Sequence, residues 1–132
     1  GSTLSEGRGT TRPLELFGAP DIAPRQIIAG MQQLAPDWLA GCILRECWFE
    51  PTFHKHAGKL CAGIQIHVED GTYDHAAFKP WRVQAVAFEA IRLLQAEYPL
   101  WRDFAYEYEL DRLASPDEAT WREQRESLLL YR

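Results

Sequence analysis

Leu60-Cys61-Ala62-Gly63-Ile64-Gln65-Ile66-His67-Val68-Glu69 alternates in character over ten residues. Leu60, Ala62, Ile64, Ile66 and Val68 fall on one side, and Cys61, Gly63, Gln65, His67 and Glu69 on the other. Period-2 alternation of this length predicts a strand with one buried face and one face open to solvent or ligand. Upstream, residues 42–50 (Cys-Ile-Leu-Arg-Glu-Cys-Trp-Phe-Glu) read as a second strand, stopped by Pro51. The loop between them, residues 51–59, is short enough for the two strands to pair antiparallel.

Helical signals flank this pair. Asp21 is placed as the N-cap of a first helix with Pro24 in its first turn. Ile27, Ile28, Met31 and Leu34 recur at helical spacing and Pro36 ends the run, which predicts a helix over residues 22–35. Pro80 opens a second helix, with Val83, Val86, Ala87, Ala90, Ile91 and Leu94 as its apolar stripe and Tyr98-Pro99 as its end. Residues 104–108 suggest a short third strand, and Leu110 to Ala114 one helical turn. Ser115-Pro116-Asp117-Glu118 is a capping-box start for a last helix, with Trp121 and Leu128 facing inward. The expected architecture is α+β: a small two- or three-stranded, mainly antiparallel sheet packed with three or four helices.

The chain has 132 residues, 46% hydrophobic and 25% charged, a globular composition that excludes a disordered or collagen-like chain. No apolar run approaches the roughly 20 residues of a membrane-spanning helix. With 19 acidic and 14 basic residues the net charge is −5, which disfavours nucleic acid or an anionic membrane as a partner. Gly1-Ser2 reads as a cloning scar, residues 3–20 as a loop arm cut from a longer protein and pinned by Leu14, Leu16 and Phe17 (interdomain on the resemblance given below), and residues 21–132 as a single α+β domain. The three cysteines, Cys42, Cys47 and Cys61, are an odd count that argues against a complete disulfide framework. They read as small buried hydrophobes, with a Cys47–Cys61 cross-strand pair left open.

Three constellations carry chemistry. Ser5-Glu6-Gly7-Arg8-Gly9-Thr10-Thr11-Arg12 combines glycines, which allow close backbone approach, with a carboxylate and two guanidinium groups suited to a sugar or an anion. Thr52-Phe53-His54-Lys55-His56-Ala57-Gly58-Lys59 is a basic loop between strands in an acidic chain, suited to a carboxylate or phosphate. Gln65, His67 and Glu69 form a polar row roughly 7 Å apart, either a sugar-binding surface or a hydrated sheet face. A zinc site from His54, His56, Cys61 and His67 matches no usual closed-site spacing. Cys61 and His67 lie about 20 Å apart along a strand, too far for a nucleophile–base pair.

Taken together, two stretches resemble signature segments of the NamZ-type exo-β-N-acetylmuramidases. The first is Leu4 to Pro13 followed by Glu15-Leu16-Phe17-Gly18-Ala19-Pro20. The second comprises Phe49-Glu50-Pro51-Thr52-Phe53, Lys55, Gly58 to Gly63 and Gln65 to Val68; Phe78-Lys79-Pro80 and Leu129-Leu130-Tyr131 also fit. The resemblance implies a bacterial glycoside hydrolase that removes N-acetylmuramic acid from the non-reducing ends of peptidoglycan fragments. It further implies an N-terminal Rossmann-like domain carrying the main catalytic carboxylate, with this chain as the C-terminal domain across a shared cleft. Parents of this kind are exported to the cell envelope or, when they recycle wall fragments, cytoplasmic.

On that resemblance Arg8, Thr10, Thr11, Lys55, Gln65 and His67 are expected to contact substrate, with Glu6 as an assisting or orienting group. Arg8 and Lys55 are expected to hold the lactyl carboxylate of muramic acid, and Gln65 and His67 its hydroxyl or acetamido groups. No cofactor and no metal is expected. The competing expectation is a non-catalytic module that binds cell-wall sugars or a partner protein.

Overall fold

The alternating stretch forms a strand over Cys61–His67, here β3, and in this computed structural model it is the middle strand of a three-stranded antiparallel sheet. Residues 1–69 and 71–102 are described, together with the helical positions Glu123 and Glu126. On one side of β3 lies β2, Ile43–Phe49, in a register that sets Phe49 opposite Cys61 and Ile43 opposite His67. On the other side lies β1, Leu16–Ala19, with Leu16 opposite Gln65 and Gly18 opposite Gly63.

β1 comes from the segment expected to be a loop arm. Leu16 and Phe17 are buried as pinning residues, whereas Leu14 is 71% exposed. The arm extends the sheet further, since Ser5 and Gly18 exchange both backbone hydrogen bonds (2.8 and 3.0 Å). The third strand is thus supplied by Leu16–Ala19; the strand expected at 104–108, the turn at 110–114, the helix from Ser115 and the apolar tail lie outside the described residues.

Two α-helices cover one face of the sheet: α1, Pro24–Leu34, and α2, Pro80–Leu94, with a 3-10 turn at Pro36–Leu39 after α1. The core between helices and sheet contains Phe17, Ala19, Ile27, Met31, Ile64, Val83, Val86, Ala87, Ala90 and Ile91. Each fully buried Ile or Val side chain contributes roughly 1.5–3 kcal/mol of transfer free energy. The stripe on α2 is buried as expected up to Ile91, but Leu94, at its last turn, is half exposed. The opposite sheet face carries a smaller apolar cluster of Leu16, Phe49 and Cys61, so Cys61 is buried on the side expected to be open. Leu60 and Val68, expected to be buried, lie beyond the ends of β3 and are exposed.

The helix boundaries depart from expectation for local reasons. Asp21 does not cap α1; the cap position is Ala23, with no side-chain cap. Its N–H donates instead to Gln95 Oε1 (2.9 Å), just past the end of α2, so a tertiary contact does the work of a capping side chain. α2 ends at Leu94, four residues before Tyr98. None of the helices described is long and apolar enough to cross a membrane. All three cysteines are free thiols, and burial raises the pKa of each; at Cys61 the nearby Lys59 charge opposes that rise.

The glycines at two contacts differ in what they tolerate. A Cβ on Gly18 would fall 2.3 Å from the Ala62 carbonyl oxygen and 2.7 Å from Gly63 Cα, both backbone. A Cβ on Gly30 of α1 would meet Leu94 Cδ1 at 2.6 Å, the free end of a half-exposed side chain. Gly18→Ala is therefore expected to cost at least about 2 kcal/mol in urea denaturation. Gly30→Ala, which gains up to about 1 kcal/mol in helix propensity, should stay within about 1 kcal/mol of the parent. Equal losses at the two positions would contradict this packing.

Candidate functional site

The arm and the basic loop, far apart in sequence, meet at one end of the sheet. Residues 6–14 form a closed loop, in which the Leu14 N–H donates to the Glu6 carbonyl (2.8 Å). Thr10 shapes the inside of this loop: its hydroxyl donates to the Gly7 carbonyl (2.6 Å) and accepts from the Arg12 N–H (3.1 Å). Gly9 has φ +81° and lies so close to the basic loop that a Cβ would stand 2.7 Å from Phe53 N. Its carbonyl accepts from both the N–H and the hydroxyl of Thr52, each at 2.9 Å.

The basic loop turns back on itself to make this contact. His54, His56 and Gly58 all adopt positive φ (74°, 57° and 69°), and the first two are residues for which that region is unfavourable. Backbone bonds from Gly58 N to Pro51 O (2.8 Å) and from Lys59 N to His56 O (3.0 Å) close the loop. The turn aims Lys55 and His56 at the arm. Lys55 Nζ donates to the Leu4 carbonyl (2.9 Å) and to Glu6 Oε1, and His56 Nε2 lies 2.9 Å from the Thr3 carbonyl oxygen. The Lys55 side chain is only 15% exposed, so this ion pair is largely shielded from solvent.

Two competing effects set the charge of Glu6. Burial penalises the carboxylate, but the hydrogen bond from Lys55, a backbone hydrogen bond, and the charges of Lys55 and Arg8 outweigh it, and the pKa falls below its usual 4.5. Oε2 of Glu6 is buried with no hydrogen-bond partner, and Arg8 Nε stands 3.8 Å from it. The Arg8 side chain is 54% exposed. Thr11 is also exposed, on the same loop. An exposed guanidinium beside a largely enclosed carboxylate can take an anionic ligand.

Gln65 and His67 lie on the sheet face that carries Leu16 and Phe49, further along β3. Gln65 is four residues, about 13 Å, from the Cys61–Phe49 pair at the basic-loop end. Gln65 stands in one row with Arg45 of β2 and Leu16 of β1. His67 Nδ1 is 2.8 Å from Glu69 Oε1. That hydrogen bond and the charge of His67 lower the Glu69 pKa, with burial opposing and Arg45 and Arg12 contributing smaller attractions.

The structure therefore joins Glu6, Arg8 and Lys55 in one cluster and sets Gln65 and His67 in a second group on the same face of the sheet. No hydrogen bond or ion pair among the described residues links the two groups. Thr10 is engaged inside its own loop, and Lys55, expected to face a ligand, has two of its three donors engaged by the arm. The four residues weighed for zinc do not converge, since His56 faces Thr3, His67 faces Glu69 and Cys61 Sγ faces the Lys59 carbonyl. Arg45 was missed by sequence reasoning. Strand alternation does put Arg45 on one face with Cys47, but only the β2–β3 register places it beside Gln65.

Acid sensitivity follows from Glu6. A carboxyl whose folded-state pKa is lowered contributes stability above its unfolded pKa, and loses that contribution as pH falls through the folded value. Glu6→Gln should thus lower the melting temperature at about pH 7, and the gap to the parent should narrow as pH falls below about 4. A gap independent of pH would contradict the ion pair.

The sequence profile of the family described as "Exo-beta-N-acetylmuramidase NamZ, C-terminal" matches residues 1–115. The chain is similar to the peptidoglycan beta-N-acetylmuramidase NamZ of Bacillus subtilis (strain 168), 46% identical over 70 residues that make up 53% of this chain and 16% of that protein. A crystal structure of a DUF1343 family protein from Bacteroides fragilis NCTC 9343 shares the fold. Its TM-score is 0.61 at 20% identity, over 72% of this chain and 23% of that one. The chain thus spans less than a quarter of either relative's length. With residues 1–115 covered by the family profile, the chain belongs to the family of C-terminal domains of the NamZ exo-β-N-acetylmuramidases.

Proposed function

We propose that this domain is the substrate-binding C-terminal half of an exo-acting β-N-acetylmuramidase. In this reading it completes a cleft with a preceding Rossmann-like domain that supplies the main catalytic carboxylate. The substrate is a peptidoglycan fragment with N-acetylmuramic acid at its non-reducing end. The observation that carries the reading is the pairing of exposed Arg8 with the undonated Oε2 of Glu6, within the arm that the basic loop holds in place.

Arg8 meets the lactyl carboxylate of muramic acid through charge-assisted hydrogen bonds, and the third Lys55 donor adds to the same positive field. Glu6, ionised, orients Arg8 toward this position through its negative charge. Thr11 borders this position. Gln65 and His67, beside Arg45, take hydroxyl or acetamido groups further along the sheet. Glycosidases need two carboxyl groups at the scissile bond, and Glu6 here is an orienting group, not the acid or the nucleophile.

A second reading is favoured by one feature. The arm, the basic loop and the sheet make this surface from the chain's own residues, so it is formed without another domain. A module that binds wall sugars alone would need nothing more.

Two assays separate the readings. The isolated domain should not hydrolyse 4-nitrophenyl β-N-acetylmuramide, and turnover by the domain alone would overturn the placement of the catalytic carboxylate. NMR titration of the domain with N-acetylmuramic acid should leave the Gln65 and His67 amides unmoved at low millimolar ligand; saturable shifts there would favour the binding module. In a parent enzyme that carries the preceding domain, Arg8→Ala should lower kcat/KM on the muramide by about ten- to a hundredfold. It should have little effect on the matching N-acetylglucosaminide, which lacks the lactyl carboxylate. Equal losses on both substrates would contradict the role given to Arg8.

A further inference from the structure

A cleft of about 690 Å³ opens between the segment after α2 and the turn that joins β1 to α1. Its volume is that of a small-ligand site. Thr3 and His56, from the arm–loop contact, reach its edge, but Glu6, Arg8, Lys55, Gln65 and His67 do not line it. The two walls are cross-linked before any ligand arrives. The Gln95 side chain accepts from the Ala23 N–H (2.9 Å) and donates to the Asp21 carbonyl (3.2 Å). This fixes the cleft's shape and lowers the cost of binding.

The charged groups of the lining are acidic. Asp21 and Glu97 bring two carboxylates, and no Lys or Arg is among the described lining residues. His56 Nε2 faces a carbonyl oxygen, which can only accept, so Nε2 carries a proton and that donor is already engaged. Pro20, Leu94 and Pro99 give apolar walls between these groups. Burial, with Asp21 nearby, raises the Tyr98 pKa against an opposing hydrogen bond with Thr3, so its hydroxyl stays neutral. The cleft thus sets two carboxylates beside an apolar lining, the complement of a methylene chain that ends in a cation, while Gln26 and Tyr98 add groups that both donate and accept.

We propose that this cleft binds an aliphatic primary ammonium group, as presented by a lysine-like side chain on a short peptide. A primary ammonium has three donors and no acceptor, and its stem packs on apolar walls while the charge meets the carboxylates. The proposal does not depend on the muramidase reading, because none of the residues given a role there is used.

The test is an NMR titration of the 132-residue chain with Nα-acetyl-L-lysine N-methylamide, beside its norleucine and glutamate counterparts. The lysine probe should shift the Ala19, Ala96 and Tyr98 amides and bind at least about tenfold tighter than the other two. Asp21→Asn with Glu97→Gln should weaken the lysine probe at least about fivefold and leave norleucine binding unchanged. Both positions are exposed, and Glu97→Gln alone should show the same trend should the double variant be unstable. Equal binding of the lysine and norleucine probes, or no cleft shift at about 20 mM lysine probe, would overturn the proposal.

Discussion

At the middle of the sheet two glycines face each other, and the backbone approach they permit underlies the rest of the molecule. A Cβ on Gly63 would stand 2.5 Å from the Phe17 carbonyl and 2.7 Å from the Phe49 ring, and one on Gly18 would meet the Ala62 carbonyl. Without side chains there, β1 closes onto β3, and the Phe49 ring lies over the contact. Once β1 is fixed, Ser5 pairs with Gly18, and the arm leaves the sheet edge beside the loop that joins β2 to β3. Glu6 and Lys55 then meet, although 49 positions separate them in the chain. The placement of the candidate site is thus a consequence of backbone closeness several residues away.

The site itself is held by unequal partners. Lys55 is largely buried and engages a carbonyl and a carboxylate, whereas Arg8 is exposed and only approaches the same carboxylate. One cation organises the surface and the other is left exposed to solvent. This division is physically sensible. A buried lysine cannot easily lose its partners without leaving a charge unpaired in a poorly solvated place, while an exposed guanidinium can exchange water for a ligand at little cost. Thr3 and His56 link this contact to the acidic cleft on the other side of the arm, so both surfaces depend on the same docked segment.

The long periodic elements were legible in the sequence. Ile64 with its alternating neighbours, the Ile27–Met31 pair and the Val83–Ile91 stripe located β3, α1 and α2 to within a few residues. β1 was not legible, because Leu16-Phe17-Gly18-Ala19 is four residues long, is apolar on both sides and contains a glycine. Its strand character comes from pairing with β3, which local pattern does not encode. The cap of α1 failed for a similar reason, since Gln95 reaches it from 72 residues away. At the site, residue types pointed to the two relevant loops, but not to the ion pair that Lys55 makes with Glu6. A cation in a basic loop looks unpaired until a distant carboxylate folds onto it.

The central claim is that the arm and the basic loop act as one unit through the Glu6–Lys55 pair. A double-mutant cycle with Glu6→Gln, Lys55→Met and the double variant, read by urea denaturation at neutral pH, tests it most directly. The account predicts a favourable coupling of about 0.5–1 kcal/mol, larger than the error of additivity for independent sites. Strictly additive losses would mean that the two residues stabilise the domain separately, and would contradict the account.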